Sequence, residues 1–262
     1  MIVPSMTNLE ICNALFDDLP KLKIRANTLI PRISKQFKKE KKFPAWKWAE
    51  YTHQQSHNKY LICFYSQTQA QADDPDVNYL AFLETKNQRI VVQWGCWIYR
   101  KQGSLEAIAT RYIGFFSGHF FSRYRERIWK DVDMSYNELL CRYISRNIIT
   151  IPLELNKDIQ RNYKAYGDFA NYAFKVQDGT CFIRSWNEGD INTVGNRDSN
   201  FISVVLYYTF VNGGMMTDTQ KKAIDKEGSK YVFDQYIKLL EDEMNDELLN
   251  LLNNNKHIDN AE

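Results

Sequence analysis

The chain has 262 residues, 44% hydrophobic and 25% charged, with only 11 Gly and 6 Pro. Those values exclude a disordered or low-complexity chain and leave enough apolar material for a sizeable core. A net charge of +2, from 34 Lys and Arg against 32 Asp and Glu, excludes a molecule that is basic throughout.

From the N-terminus, Thr7-x-x-Glu10 is a capping-box signature ahead of Leu9, Ile11, Leu15 and Phe16, and predicts a first helix that Pro20 breaks. A second helix is expected from about Lys21, with Leu22, Ala26, Leu29, Ile30, Ile33 and Phe37 on one side and a kink or break at Pro31. The span from Lys21 to Lys47 carries ten Lys or Arg against the single acid Glu40, a basic patch that either contacts nucleic acid or is a solvated helix face. Phe43 to Trp48 is turn-like. His53-x3-His57 has helical metal-ligand spacing but no third ligand and no general base beside it, so no metal site is assigned.

From Lys59 the apolar period changes from helical to two-residue. Tyr60 to Ser66, Asn78 to Glu84, Arg89 to Arg100 and Leu105 to Phe116 are predicted strands, and their short connections imply antiparallel neighbours. A helix starting near Ser117 follows, then a second helix capped by Ser135-x-x-Glu138 and ended by Asn147 and Pro152. Tyr172 to Val176, a hairpin turn at Asp178-Gly179, Cys181 to Trp186 and Phe201 to Phe210 make a second strand-rich stretch. Gly213-Gly214 is a plain turn, Thr217-x-x-Gln220 caps a further helix, and Tyr231 to Leu252 is amphipathic with Phe233, Tyr236, Ile237, Leu240 and Met244 as its buried stripe. Glu241 to Glu247 is acidic, and the polar tail from Asn253, with His257, is expected to fray.

Segregated runs of helices and strands point to an α+β fold. We expect a mainly antiparallel sheet built from both strand-rich stretches, with two central helices and the N- and C-terminal helices packed on it. One domain over residues 1–262 is expected, its helical N-terminal part at 1–50, the sheet with central helices at 59–210 and the C-terminal helices at 217–252.

The most apolar stretch, Phe201 to Val211, is too short to cross a bilayer, so no membrane association is expected. The first residues lack the charged segment and apolar core of a signal peptide. The five cysteines are odd in number and widely spaced, which fits reduced thiols in a cytoplasmic protein.

Acid/base, cationic and carboxylate groups converge only at Ser117 to Ile128. On a helix, His119, Arg123, Glu126 and Arg127 fall within an arc of about 100°, while Phe120, Phe121, Tyr124 and Ile128 fill the neighbouring arc. Ser117 is the expected N-cap, which sets His119 in a first turn whose free N–H groups attract phosphate. The bland alternative is a solvated helix face. Arg123 and Arg127 repel by only about 0.2–0.5 kcal/mol, which folding tolerates.

His119-x3-Arg123-x2-Glu126-Arg127, followed by a capped helix and antiparallel strands, resembles the metal-independent ribonuclease toxins of the barnase- and RelE-like superfamily. The likeness covers roughly Thr110 to Phe210. It implies an endoribonuclease needing no cofactor and no metal, with either His119 or Glu126 as base and the other as acid, and Arg123 and Arg127 clamping the phosphate. Arg184, Ser185 or Thr209 would be matching groups on the later strands. Lys38, Lys39, Lys41 and Lys42, with Arg184, are the candidate nucleic-acid contacts outside the helix. The alternative is a non-catalytic module that binds RNA or a protein partner.

Overall fold

The computed structural model describes residues 1–100, 107–159, 170–194, 199–234 and 237. Its centre is one sheet of nine strands, β1 (Ala45–Thr52), β2 (Lys59–Ser66), β3 (Asp76–Glu84), β4 (Arg89–Arg100), β5 (Ala107–Phe116), β6 (Ile151–Glu154), β7 (Tyr172–Val176), β8 (Gly179–Glu188) and β9 (Ile202–Val211). The spatial order is β1-β2-β3-β4-β5-β9-β8-β7-β6, so two antiparallel meanders meet at one seam. That seam, β5 on β9, is the one parallel pairing, with Ile113 opposite Val204 and Phe116 opposite Tyr207. The fold is α+β with a mostly antiparallel sheet, and no described helix is long and apolar enough to cross a membrane.

Helices cover both faces. Helix α1 (Asn8–Phe37) lies on one face, where Leu15, Leu22, Val92, Trp94, Ile113 and Val204 form one cluster and Ile33, Phe37, Ile62 and Phe64 another. Helices α2 (Phe120–Ile128) and α3 (Tyr136–Arg146) lie on the opposite face, over Leu61, Phe116, Cys181, Ile183, Val205 and Tyr207. Residues 218–234 are helical (α4), and Ile224 packs with Phe182 and Leu153 on the α1 side of the second meander. Strand alternation sends Phe182 to one face and its neighbours Cys181 and Ile183 to the other.

Several expectations change. Residues 8–37 are one helix of 30 residues that runs through both Pro20 and Pro31. The two prolines are eleven residues apart, three turns, and both are exposed, so the missing hydrogen bonds fall on the solvent side, where water satisfies the freed carbonyls. The span from Phe43, expected to be turn-like, contains β1, whose Trp46 and Trp48 pack on the α3 side while Ala45 and Ala49 face α1. Pro152 sits in the short edge strand β6, where a missing N–H costs no ladder bond. His53 and His57 belong to the β1–β2 hairpin turn, which one His57 N–H to His53 carbonyl bond of 2.9 Å closes, with His57 in a left-handed backbone (φ 57°), His53 buried and His57 exposed; no helix forms there.

The caps at Thr7, Ser135 and Thr217 form as expected, each hydroxyl accepting from the N–H three residues on. In α4, Val232 and Phe233 are exposed, lining an open concavity beside Ile151 and Lys175, so Phe233 is not part of a buried stripe. Tyr236, Leu240, Met244, the acidic stretch at 241–247 and the tail from Asn253 lie outside the described residues.

Candidate nucleic-acid interface

The position of α2 follows from how the chain leaves β5. The Ser117 backbone N–H donates to the Tyr207 carbonyl at 3.0 Å, and its Oγ donates to the Tyr208 carbonyl at 2.8 Å, where β9 bulges by one residue. Ser117 is thus a bolt to β9 and not the helix cap. The N-cap is His119, two residues later than expected, and its ring caps no backbone N–H.

Phe120, Phe121 and Tyr124 then drive the inner face of α2 into the core. Phe120 meets Phe116, Tyr143, Tyr207 and Phe210 at centroid distances of 5.0 to 6.3 Å, all in edge-to-face geometry. Each fully buried ring is worth about 1.5–3 kcal/mol from area alone. Tyr124 adds a polar anchor, its hydroxyl donating to Asp178 Oδ2 at 2.6 Å. Ile128 is only partly buried at the end of this stripe.

The outer face carries His119, Ser122, Arg123 and Glu126, all exposed. Arg123 Nη1 donates to Glu126 Oε2 at 2.9 Å, with the two side chains 49% and 57% exposed. Arg127 turns toward the sheet and is half-buried, and its carbonyl accepts from Asn212 Nδ2 at 2.9 Å. Arg125 Nη2 donates to the Met134 carbonyl at 2.7 Å, tying α2 to the start of α3. Three of the predicted four residues therefore share an open face and the fourth leans inward.

The other candidates are elsewhere. Arg184 is exposed on the strand face of Phe182, and Thr209 is in register with Phe182, so both lie through the sheet from α2. Ser185 is on the α2 side, but its N–H is held by Asn171 Oδ1 at 2.8 Å. Lys38, Lys39, Lys41 and Lys42 are exposed at and just beyond the end of α1, also on the far side, with Lys38 ion-paired to Asp73 at 2.6 Å. The one-residue bulge of β9 at Tyr208 shifts the side on which Thr209 falls, and sequence order alone does not reveal it.

Two buried polar clusters were not anticipated. Asp178, in the β7–β8 turn, accepts from Arg146 Nε and Nη2 at 3.0 and 2.5 Å, from Tyr124, and from Asn147 Nδ2 at 3.1 Å. Burial is the largest single effect on this carboxyl and pushes its pKa up, yet the Arg146, Tyr124 and Asn147 contacts together outweigh it and hold it below the usual carboxylate range. Beside it, the Arg142 guanidinium lies between the Trp46 and Trp129 rings, 4.6 and 4.5 Å from their centroids, and pairs with Glu138 at 2.7 Å.

In the second cluster, Asp18 of α1 accepts from Ser56 Oγ at 2.5 Å, Asn58 Nδ2 at 2.8 Å and Tyr60 Oη at 2.6 Å. Burial again acts upward on the carboxyl, and the three donors with His53 bring it below its ordinary value. Ser56, His53 and Asp18 have the residue types of a catalytic triad but not its arrangement. Both Asp18 and the Ser56 N–H approach the same ring atom, His53 Nδ1, at 3.3 and 3.1 Å, whereas a triad needs serine and aspartate on opposite nitrogens. The cluster ties α1 to the β1–β2 turn.

Two concavities, of 530 and 270 Å³, lie around Lys175 where β7 faces α4, and neither is lined by a residue of α2. Among the described residues, no three His, Cys, Asp or Glu converge to hold a metal ion. No protein-family model matches the chain, and no curated protein or solved structure is found to be similar to it.

Proposed function

We propose that the protein is a cytoplasmic RNA-binding protein that contacts single-stranded RNA through the outer face of α2. The observation that carries this reading is a helix held rigidly from beneath by Phe120, Phe121 and Tyr124 while it presents His119, Ser122 and Arg123 on open surface. On this face Arg123 is exposed and held by the equally exposed Glu126, so an RNA phosphate would compete with that carboxylate for the guanidinium. A face outside both of the concavities around Lys175 suits a polymer better than a small substrate.

The test is fluorescence anisotropy with labelled single-stranded RNA at increasing salt. Affinity should fall along a straight log–log line, with a slope of roughly −0.7 for each phosphate neutralised. His119→Ala with Arg123→Ala should make the slope shallower by about one unit, while replacing Lys38, Lys39, Lys41 and Lys42 by Ala should leave α2-dependent binding in place. No binding at low salt, or loss only in the lysine variant, overturns the reading.

One observation favours a second, sharper reading as a metal-independent ribonuclease. His119 is exposed at an uncapped helix start, one turn from Arg123. RNA incubated in chelator with wild type and with His119→Ala separates the two: cleavage that the variant abolishes makes His119 a catalytic residue, and intact RNA leaves binding alone.

A further inference from the structure

The core beneath α3 holds two thiols that neither the RNA face nor the buried carboxylates use. Cys63 lies in the middle of β2 and Cys141 in α3, seventy-eight positions apart in sequence, and both are fully buried in the cluster that joins α3 to the sheet. Their Sγ atoms are 2.7 Å apart, against roughly 2.05 Å for an S–S bond. The other cysteines are not so placed: Cys181 Sγ is 3.4 Å from the Tyr143 hydroxyl, Cys12 is on the buried face of α1, and Cys96 is exposed on β4.

We propose that Cys63 and Cys141 are a dithiol pair that closes to an intramolecular disulfide, pinning α3 to β2, when a low-molecular-weight disulfide of the glutathione class accumulates. The exchange is balanced. One protein thiol loses its proton and attacks a sulfur of the small disulfide, giving a mixed disulfide and releasing one small thiol, which takes up that proton. The second protein thiol then attacks the protein-bound sulfur, closes the Cys63–Cys141 bond and releases the second small thiol with the second proton. The protein loses two hydrogens and two electrons, and the small disulfide gains them.

Burial makes the closed pair slow to form and slow to reverse. It keeps the Cys141 thiol well above its ordinary pKa, with Cys63 adding to the effect, so the attacking thiolate is scarce while the core is closed. Exchange therefore proceeds during folding or through openings that lift α3. Once formed, the bond closes a long loop and should raise the thermal midpoint by several degrees. In a reducing cytoplasm the pair stays as thiols, and it differs from the other three cysteines only when the disulfide ratio rises.

The experiment refolds the full chain in glutathione buffers of graded reduced-to-oxidised ratio, blocks free thiols with an alkylating agent, and maps peptides by mass spectrometry. A native arm exposes folded protein to the same buffers overnight. The expected product is a cross-link between the Cys63 and Cys141 peptides, two hydrogens lighter, that persists at ratios where Cys12, Cys96 and Cys181 are fully alkylated, with a raised melting temperature that reductant reverses. Alkylation of both thiols across all ratios in both arms overturns the proposal, as does a cross-link that pairs either of them with another cysteine. Cys63→Ser and Cys141→Ser should each abolish the cross-link. Because the wild-type map already decides the matter, a variant that fails to fold does not rescue it.

Discussion

Two arginine–carboxylate pairs lie on the same side of the sheet and serve opposite ends. Arg123 and Glu126 meet at 2.9 Å on α2 with about half of each side chain in water, whereas Arg146 and Asp178 meet at 2.5 Å with Asp178 only 4% exposed. In water the first pair exchanges one solvation for another, and such pairs contribute about 0–1 kcal/mol. The second has given up solvent, so each member depends on the other. Arg146 grips Asp178 through two nitrogens and Arg123 meets Glu126 through one, and with the difference in burial this decides which pair holds the fold and which is free for recognition.

Arg146→Ala is therefore the largest break. It strands the Asp178 carboxylate beside Tyr124 and Asn147 without its cation and should cost roughly 3–5 kcal/mol in chemical denaturation. Asp178→Asn added to that variant should recover part of the loss, because a neutral amide needs no counter-charge. The pH dependence has a definite sign. In wild type the Asp178 carboxyl is held below its ordinary value, so its stabilisation is complete above the unfolded carboxylate range, near pH 4, and is lost as pH falls through the folded value. Without Arg146 the remaining dominant effect is burial, which raises the carboxyl. The stability gap between wild type and Arg146→Ala should thus narrow in acid. A gap that stays constant from pH 7 to pH 3 would refute the charge account.

The Asp18 cluster sharpens the contrast from the neutral side. Among the described residues no arginine or lysine hydrogen-bonds to Asp18; its partners are two hydroxyls, one amide and a histidine. Asp18→Ala leaves those donors buried without their shared acceptor and should cost roughly 1–3 kcal/mol, less than Arg146→Ala because no bare charge remains. An equal or larger loss would mean that dipoles hold a helix to a turn as firmly as an ion pair does.

How far these features were legible in the sequence depends on how local their physics is. The caps at Thr7, Ser135 and Thr217 are fixed by neighbours three residues away and formed as expected, and the hairpin expected at Asp178-Gly179 forms one residue earlier, turning at Gln177-Asp178. Gly179 has a backbone reason as well, since an added Cβ there would run into the Val211 carbonyl. The arc on α2 was legible for the same reason: helical spacing is local, and the buried and exposed sides separate at Phe120 and Arg123. By contrast, Asp178 finds Arg146 thirty-two residues away and Asp18 finds Tyr60 forty-two away. Nothing in residue spacing predicts those meetings. Pro20 and Pro31 misled for a related reason, since the cost of proline in a helix depends on which side faces water, and that is settled by the sheet α1 packs on. The parallel seam of β5 on β9 likewise depends on how two distant meanders dock.

The smallest expected effect is the one that best separates the two uses of α2. Glu126→Gln removes one exposed charge and should change stability by less than about 0.5 kcal/mol, since the surface pair it breaks contributes little. On RNA the two readings place the effect in different measurements. If α2 is a binding face, Glu126 holds Arg123 and repels phosphate, so its neutralisation frees the guanidinium and should tighten binding by roughly 1.5- to 5-fold at low salt, the equivalent of about 0.2–1 kcal/mol. The gain should shrink as salt rises, because both the pair and the repulsion are screened. If Glu126 is instead an acid or base in RNA cleavage, the same change removes a proton-transfer group worth about 10²–10⁴-fold in rate while binding stays the same or improves. Affinity and cleavage measured on one preparation of Glu126→Gln therefore decide between recognition and catalysis, and weaker binding with no cleavage in either protein would count against both.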